Sequence, residues 1–583
     1  MPSTHDDGKC CDVPSANWQF LEIDEDSVDI LADSLNLRRI TARLLAQRGY
    51  SDPKVAKQFL YPTLADLHDP FRLADLDIAV ERIVSALSEK ETIAIHGDYD
   101  VDGVVSTAIL KRVLTSLGGT VVHFIPNRFT DGYGVQSVGI RRLYDLGARV
   151  IITVDCGIRS LEAAAEAKRL DVDLIVTDHH EPAKILPSAF AVVNPKRKDC
   201  AYPDKDLAGV GVTFKLVQAL CIRSNKQHWL PSVLKLASIG TLADVVPLRG
   251  ENRIIAKVGL DELTFGTHAQ GIKLLLKTSG LDQKQLSSDD VTFRLAPRIN
   301  AAGRMSSAEI ALELLLAKNS DCLQHTLELA KKIETNNDLR KQTETETVRA
   351  ATQLIEEVSD FSSHQALVVW GYDWHRGVIG IVASRLVDHY AKPAIVISVG
   401  TNLAHGSARS VPGFDLLEGL QRCEDLLLTF GGHTNAAGLT IKPERLMEFR
   451  KRFVDYTEEL LTNKTLDTHL TVDSEIGFGE IGPELVQDLL KLEPFGNGNP
   501  KPIFHTSPVS VAHGPRVLQS KHLKMTLEHK NNKFTGLWWG GASNLGLVEK
   551  YRKNLHIAYS LAENMYRGES HIQLNIAGIR KAV

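Results

Sequence analysis

Cysteine is scarce in this chain: seven in 583 residues, an odd number, with no CxxC pair and with Cys10 and Cys11 adjacent. That usage excludes a disulfide framework and a structural zinc site, and it fits a reducing cytoplasm. No window approaches the roughly 20 consecutive apolar residues that span a bilayer, so no integral membrane segment is expected. Residues 1–8 are polar and acidic, without the basic and apolar stretches of a secretory leader, and none is expected. Neither an internal repeat nor a long low-complexity tract is present. With 43% hydrophobic and 24% charged residues, the composition also excludes a disordered chain, a collagen-like fibre and a coiled-coil rod.

What remains is a soluble multidomain chain. At roughly 100–200 residues per domain, the length calls for three or four. The net charge of −5 is unevenly spread. From Lys501 onward twelve Lys and Arg face four acids, so a segment of +8 follows a body of −13. A basic tail on an acidic body points to a polyanionic partner, or more simply to a solvated basic face.

Short β-branched runs at 92–95, 150–154 and 174–176 alternate with helical patterns at 104–117 and 160–170. Such alternation predicts a parallel sheet with covered faces. Residues 214–358 read as largely helical; 309–316 and 342–358 are good helix formers, and the latter looks like a connecting helix. Runs at 367–370 and 394–397 restart the β/α alternation in a second α/β domain. After Thr465 the period becomes two: Leu523, Met525 and Leu527, then Ile557, Tyr559 and Leu561, then Ile572, Leu574 and Ile576. Between the last two runs, Arg567-Gly568 makes a turn. That is an antiparallel meander or small barrel.

The chemistry concentrates where the first strands end. Asp98, Asp100 and Asp102 follow one strand and precede a helix, in Asp98-Tyr99-Asp100-Val101-Asp102-Gly103. Clustered carboxylates are costly unless a cation neutralises them. A calcium EF-hand also begins this way, but its twelfth position needs a bidentate Glu and here is Ile109. The next two strands end in Asp155-Cys156-Gly157 and Asp178-His179-His180, and Asp244 lies between apolar residues further on. In open α/β sheets ligands bind at that edge. Carboxylates with imidazoles suit a two-metal centre of Mn²⁺ or Mg²⁺, the chemistry of phosphoester hydrolysis.

In order and spacing these motifs resemble the DHH phosphoesterase superfamily. More closely, they are similar to the RecJ family of single-strand-specific 5′→3′ DNA exonucleases. Further matching stretches are Pro126-Asn127-Arg128-Phe129, Gly209-Val210-Gly211-Val212, the run 297–304, Gly406-Ser407-Ala408-Arg409-Ser410, the run 431–438, and the run 494–500 that resembles the entry to an OB domain. The resemblance covers about residue 30 to the end. It implies five segments: an N-terminal one (1–60), a DHH domain (61–250), a helical connector (251–360), a DHH-associated domain (361–465) and an OB-type barrel (466–583). It implies that Asp100, Asp102, Asp155, His179 and Asp244 hold two Mn²⁺ or Mg²⁺ ions, with Asp155 bridging. Asp98 would be a ligand or stand beside the ligands, and His180 would face the scissile phosphate or bind metal. His96 matches a ligand position in related pyrophosphatases and is variable in this family. Arg128, Arg298, Asn300, Arg304, Ser407, Arg409, Gly432 and His433 would bind the strand and its 5′ phosphate; the plainer reading of the arginines is surface ion pairing. For 431–438 the plainer reading is a tight turn opening a helix.

The basic balance of the tail, with Tyr559, Tyr566, Trp538 and Trp539, offers backbone attraction and base stacking, and period two turns at least one Trp inward. Implied partners are single-stranded DNA with a 5′ phosphate, single-strand-binding protein, and recombination or mismatch-repair factors, acting on a monomer in the bacterial cytoplasm. The competing readings are another DHH phosphoesterase, whether a nanoRNase, a cyclic-dinucleotide phosphodiesterase or a pyrophosphatase, chains that are usually shorter and against which residues 466–583 count, and a DHH-derived scaffold that only binds DNA. Such scaffolds lose metal ligands, and all are present here.

Overall fold

The structure, a computed structural model, describes residues 17–132, 134–282, 284–357, 364–461, 469–566 and 569–581. The chain forms two compact units: Thr63–Leu466, and Met1–Pro62 together with Asp467–Val583.

The larger unit is built on two sheets. In the first, five parallel strands run in the order Thr120–Phe124, Thr92–Gly97, Ala148–Val154, Asp173–Thr177, Ala191–Val193. Both faces are buried, which is why the strands read as nearly continuous apolar runs. Ile93, Ile95, Val150, Ile152 and Ile175 face helices Val101–Ser116, Gly209–Arg223 and Leu230–Ala243. Ala94, Ile151, Leu174 and Val176 face helices Ser137–Asp145 and Leu161–Arg169. The strand order reverses between Thr92–Gly97 and Ala148–Val154, and the carboxyl edge at such a reversal opens a crevice. The edge strands Thr120–Phe124 and Ala191–Val193 were not anticipated from sequence; both are short, and the latter has three residues.

The connecting helix is longer than its sequence pattern suggested, 35 residues over Leu323–Glu357 without Gly or Pro. Leu329, Ala330 and Ile333 pack into the first lobe, and Ala351 and Ile355 into the second. The second sheet runs Leu427–His433, Ala436–Ile441, Ala404–Arg409, Ala394–Val399, Leu367–Tyr372. Only the last two strands pair in parallel, across helix Ile379–Tyr390; the others pair antiparallel. The expected β/α alternation therefore stops after one crossover. The run 431–438 opens no helix: it is the closed end of a hairpin, in which His433 pairs with Ala436.

In the smaller unit, strands Phe504–Leu518, His522–His529, Asn532–Trp538, Glu569–Lys581 and Leu555–Tyr566 follow one another, and the last pairs back with the first. This closes a five-stranded barrel and leaves no open edge. Leu523, Met525 and Leu527 point inward at 0–2% exposure, as period two requires. Residues 17–62 are not a separate segment. Val28, Leu31, Leu44, Leu45 and Phe59 share one core with the barrel, and strand Asn17–Phe20 pairs with His469–Val472. Buried Arg48 ties the two parts together through Asn499 Oδ1 at 3.0 Å and the Pro500 carbonyl at 2.8 Å. The sequence concealed this because the two pieces lie more than 400 positions apart.

A fragment ending at residue 466 would strand those five side chains, each contributing roughly 1.5–3 kcal/mol when buried. Fragment 63–461 is expected to melt cooperatively, whereas 1–466 binds a hydrophobic dye and aggregates. Equal behaviour in dye-binding melts would contradict the shared core.

Candidate active site

Register places the acids. Gly97, Val154 and Thr177 lie in one row across adjacent strands, so Asp98, Asp155 and Asp178 leave the sheet side by side. Asp100 caps helix Val101–Ser116 by accepting from Gly103 N at 3.2 Å, satisfying an end N–H the helix itself cannot. Asn300 Oδ1 accepts from Val101 N at 3.2 Å, fixing the same helix start. Asp102, two residues on, accepts from Gly209 N at 2.8 Å and Val210 N at 2.7 Å, the start of helix Gly209–Arg223. A Cβ at Gly209 would overlap Asp155 Oδ1, so the close approach of this helix requires glycine. Asp155 itself sits at φ 62°, a left-handed conformation that aspartate tolerates better than most residues but still at a cost. Asp244 ends helix Leu230–Ala243.

Asp178 is the site residue that sequence reasoning left without a role. Its Oδ1 accepts from the His179 and His180 amides at 2.7 and 3.0 Å and from His180 Nδ1 at 2.7 Å; Oδ2 accepts from Ile158 N at 2.9 Å. It therefore fixes the His180 tautomer and leaves Nε2 outward. Its place at the head of the Asp-His-His run was the available signal.

The structure brings Asp98, Asp100, Asp102, Asp155, His179, His180 and Asp244 together. Three ligand sets form: Asp98, Asp100 and Asp155; Asp155, His179 and His180; and Asp102, His179 and Asp244. Asp155 and His179 each belong to two. His179 Nε2 lies 3.3 Å from Asp155 Oδ1 and 3.7 Å from Asp244 Oδ2, and all three atoms are buried without a hydrogen-bond partner. Buried orphans of this kind call for an explanation, and a divalent cation satisfies all three. Oxygen donors with one or two imidazoles fit Mn²⁺ and Mg²⁺. His96 stays outside these sets; it is buried edge-on to Phe124 with centroids 5.3 Å apart.

Electrostatics agree. Burial, then the charge of Asp100, raises Asp98 to about 7 and Asp244 to about 8. Burial, followed by neighbouring carboxylates, raises Asp102 and Asp155 well above the usual range. Burial, then His180, lowers His179 to about 3, leaving its imidazole neutral and ready to ligate. Burial opposes protonation of His180, but the hydrogen bond and charge of Asp178 outweigh it and raise the imidazole.

On the other wall, Arg128 lies over the Tyr99 ring, 4.1 Å from its centroid, with Nε buried and unpartnered. Arg304 donates to the Gly377 carbonyl at 3.0 Å; burial, then Arg128 and Arg409, lowers it to about 10. Arg409 Nη1 reaches Ser407 Oγ at 3.3 Å. A Cβ at Gly380, near the start of helix Ile379–Tyr390, would stand 3.0 Å from Ser407 Oγ and 3.3 Å from Arg409 Nη2. Arg128, Arg304, Ser407 and Arg409 thus converge on a helix amino end, an anion-binding arrangement. Gly432, at φ 148°, holds the hairpin that stacks His433 on His180, with centroids 6.2 Å apart. Arg298 does not join them: it is bonded to both carboxylate oxygens of Glu334, at 2.7 and 3.0 Å, and to the Arg294 carbonyl. Asn300 serves the helix cap instead. In the barrel unit, Tyr559 is core, fully buried with its hydroxyl 2.7 Å from Thr506 Oγ1. Trp538 packs on the core and Trp539 is 61% exposed. The Tyr566 side chain and the Arg567-Gly568 turn lie outside the described residues.

A parallel sheet with this acid–imidazole edge, followed by a mixed-sheet lobe, defines a DHH-type protein. The chain matches the DHH family N-terminal domain at residues 92–241, the DHHA1 domain at 363–459 and the RecJ OB domain at 472–578. It is 39% identical to the single-stranded-DNA-specific exonuclease RecJ of Bacillus subtilis, covering 88% of this chain and 65% of that longer protein. To RecJ of Dickeya dadantii it is 35% identical, over 93% of this chain and 96% of the relative. The crystal structure of Thermus thermophilus RecJ with Mn²⁺ superposes with a TM-score of 0.84 at 30% identity, covering 97% of this chain and 80% of that one; the same protein is also solved with Mg²⁺. The chain belongs to the RecJ family.

Without metal, Asp98, Asp102, Asp155 and Asp244 retain protons in the folded state that the unfolded chain releases above about pH 4. At these four groups the folded state binds more protons, so the stability they contribute falls as pH rises through about 7 to 8; His96 and His179, lowered to about 4 and about 3, act the other way only below about pH 6.5. Metal-stripped protein is expected to melt lower at pH 8 than at about pH 6.5, above which the unfolded chain's histidines are mostly neutral. Mn²⁺ should restore more stability at pH 8, and Asp155→Asn should flatten the slope. A wild-type slope in that variant would contradict the repulsion.

Proposed function

We propose that the protein is a metal-dependent exonuclease that hydrolyses single-stranded DNA 5′→3′ to mononucleotides in DNA recombination and repair. The observation that carries this reading is the juxtaposition of two complementary sites: buried, partnerless ligand atoms of Asp155, His179 and Asp244 beside an arginine pocket. The names of the relatives supply the substrate class.

When bound, two Mn²⁺ or Mg²⁺ ions held by Asp98, Asp100, Asp102, Asp155, His179 and Asp244 supply Lewis acidity and a hydroxide-like water. The protein does the rest. Arg128, Arg304, Arg409 and Ser407 hold the terminal 5′ phosphate, which fixes polarity because no phosphodiester lies beyond it. His180, oriented by Asp178 and favoured as imidazolium by that carboxylate, presents Nε2–H to the reacting phosphate, where the proton stabilises oxygen charge or passes to the departing 3′ oxygen. His433 stacks against it from the second lobe. The barrel unit contributes exposed Trp539 and a +8 segment for stacking and backbone attraction. The protein would act as a monomer in the bacterial cytoplasm beside single-strand-binding protein and recombination or mismatch-repair factors; among the described residues no helix is long and apolar enough to cross a membrane.

Degradation of 5′-phosphorylated single strands should require added metal and run faster with Mn²⁺ than with Mg²⁺ at matched saturation, because imidazole suits Mn²⁺ better. Asp155→Ala should abolish turnover while the protein still melts cooperatively. Wild-type turnover in that variant would remove the proposed chemistry.

Arg409→Ala should lower the preference for a 5′ phosphate over a 5′ hydroxyl, measured as a ratio of kcat/KM, with most of the salt dependence of binding retained. The salt slope is set by many phosphate contacts, each contributing about 0.7 on single strands. An unchanged ratio would place the 5′ end elsewhere.

A further inference from the structure

The loop joining strand Leu367–Tyr372 to helix Ile379–Tyr390 carries an arginine that sequence motifs did not single out. Its neighbours are anchored on both sides of the pocket. The His375 ring stands edge-on to Phe129, which follows Arg128, with centroids 5.5 Å apart. The Gly377 carbonyl accepts from Arg304 at 3.0 Å, and a Cβ at Gly377 would overlap the Arg304 backbone. Arg376 is thus held between the loop of Arg128 and the helix of Arg304, with its side chain at the exposed rim. Burial and then the like charge of Arg128 weaken its hold on its proton, and Arg376 in turn adds to the burial that lowers His405. Among the described residues, none of Arg128, Arg304, Arg376 and Arg409 is ion-paired with a carboxylate. Four guanidiniums drawn together with no ion pair, offset only by the longer-range charges of Asp98 on Arg128 and Asp100 on Arg304, remain short of negative charge until an anion arrives.

The charge count selects the anion. A phosphodiester carries one negative charge and a 5′ hydroxyl none, whereas a terminal phosphomonoester carries about −1.5 to −2 at neutral pH. Three inner arginines already hold the floor of the pocket. We propose that Arg376 is the rim contact to the terminal 5′ phosphate and reads its second negative charge, making it a specificity-determining residue for phosphorylated ends. This inference rests on the 5′-end pocket proposed above.

The test uses full-length protein with Mn²⁺ and single-stranded DNA carrying a 5′ phosphoryl or a 5′ hydroxyl group. For Arg376→Gln, the ratio of kcat/KM for the two ends should fall about tenfold, as expected for one lost charge-assisted contact, mainly through KM. Arg376→Lys should recover part of it. In the wild type the ratio should climb as pH rises through about 6, where the phosphate takes its second charge, and Arg376→Gln should flatten that climb. A purely structural role would not alter the pH profile. If Arg376→Gln keeps the wild-type ratio while Arg409→Ala loses it, the pocket stands and the rim assignment is wrong. Equal losses on both ends would likewise overturn it. If neither variant changes the ratio, the pocket itself is misplaced and the inference falls with it.

Discussion

Carboxylates forced together out of water govern this molecule. Asp98, Asp102 and Asp155 are each 2–3% exposed and converge with Asp100 and Asp244 at the carboxyl edge of one sheet. Removing negative charges from water and crowding them is among the costliest arrangements a protein can adopt. The surroundings relieve part of the cost: the starts of two helices donate N–H groups to Asp100 and Asp102. What the backbone does not satisfy, the atoms at Asp155, His179 and Asp244, is left for cations. The hydrophobic packing on both faces of the sheet supplies the rigidity that prevents the acids from relaxing apart.

The arginine wall is the opposite charge problem solved in the same way. Among the described residues, guanidiniums with no carboxylate at ion-pair distance stand across from carboxylates with no Lys or Arg at that distance. The metal-bound, 5′-phosphorylated strand proposed above would neutralise both at once, and either site alone would leave the other unbalanced. Arg298 shows the contrast. It has the same side chain and lies in the same motif, but it is paired with Glu334 and so is spent on holding helices together.

Much of this could be read in the sequence because the signals are local. A strand ending in Asp, with a glycine or imidazole close behind, declares itself within ten residues, and Asp98, Asp155 and Asp178 stood out that way; Asp244, at the end of a helix, stood out only as an acid between apolar residues. Glu309–Leu316 was legible because helix formers run unbroken from end to end. Longer-range facts were hidden. Nothing local marks Leu44 and Leu45 as sharing a core with Leu523, or Tyr559 as buried beneath the barrel instead of facing a nucleotide. The 35-residue helix was foreshortened because its first half, although buried on every turn at Thr326, Leu329, Ala330, Ile333 and Asn337, mixes polar residues into that buried stripe and carries many more outside it. Arg376 was missed because it belongs to no motif; folding alone sets it beside Arg128.

Calorimetric titration of the metal-free protein with Mn²⁺, in buffers of differing ionisation heat, tests the central claim most directly. If buried carboxylates hold protons until a cation displaces them, binding near pH 7 must release protons, because Asp98 and Asp244 lie at about 7 and about 8 before metal arrives. The account predicts two ions bound per chain with proton release that shrinks toward pH 9, and weakened binding in Asp155→Asn. Tight Mn²⁺ binding with no proton release at pH 7, or undiminished binding in that variant, would contradict it.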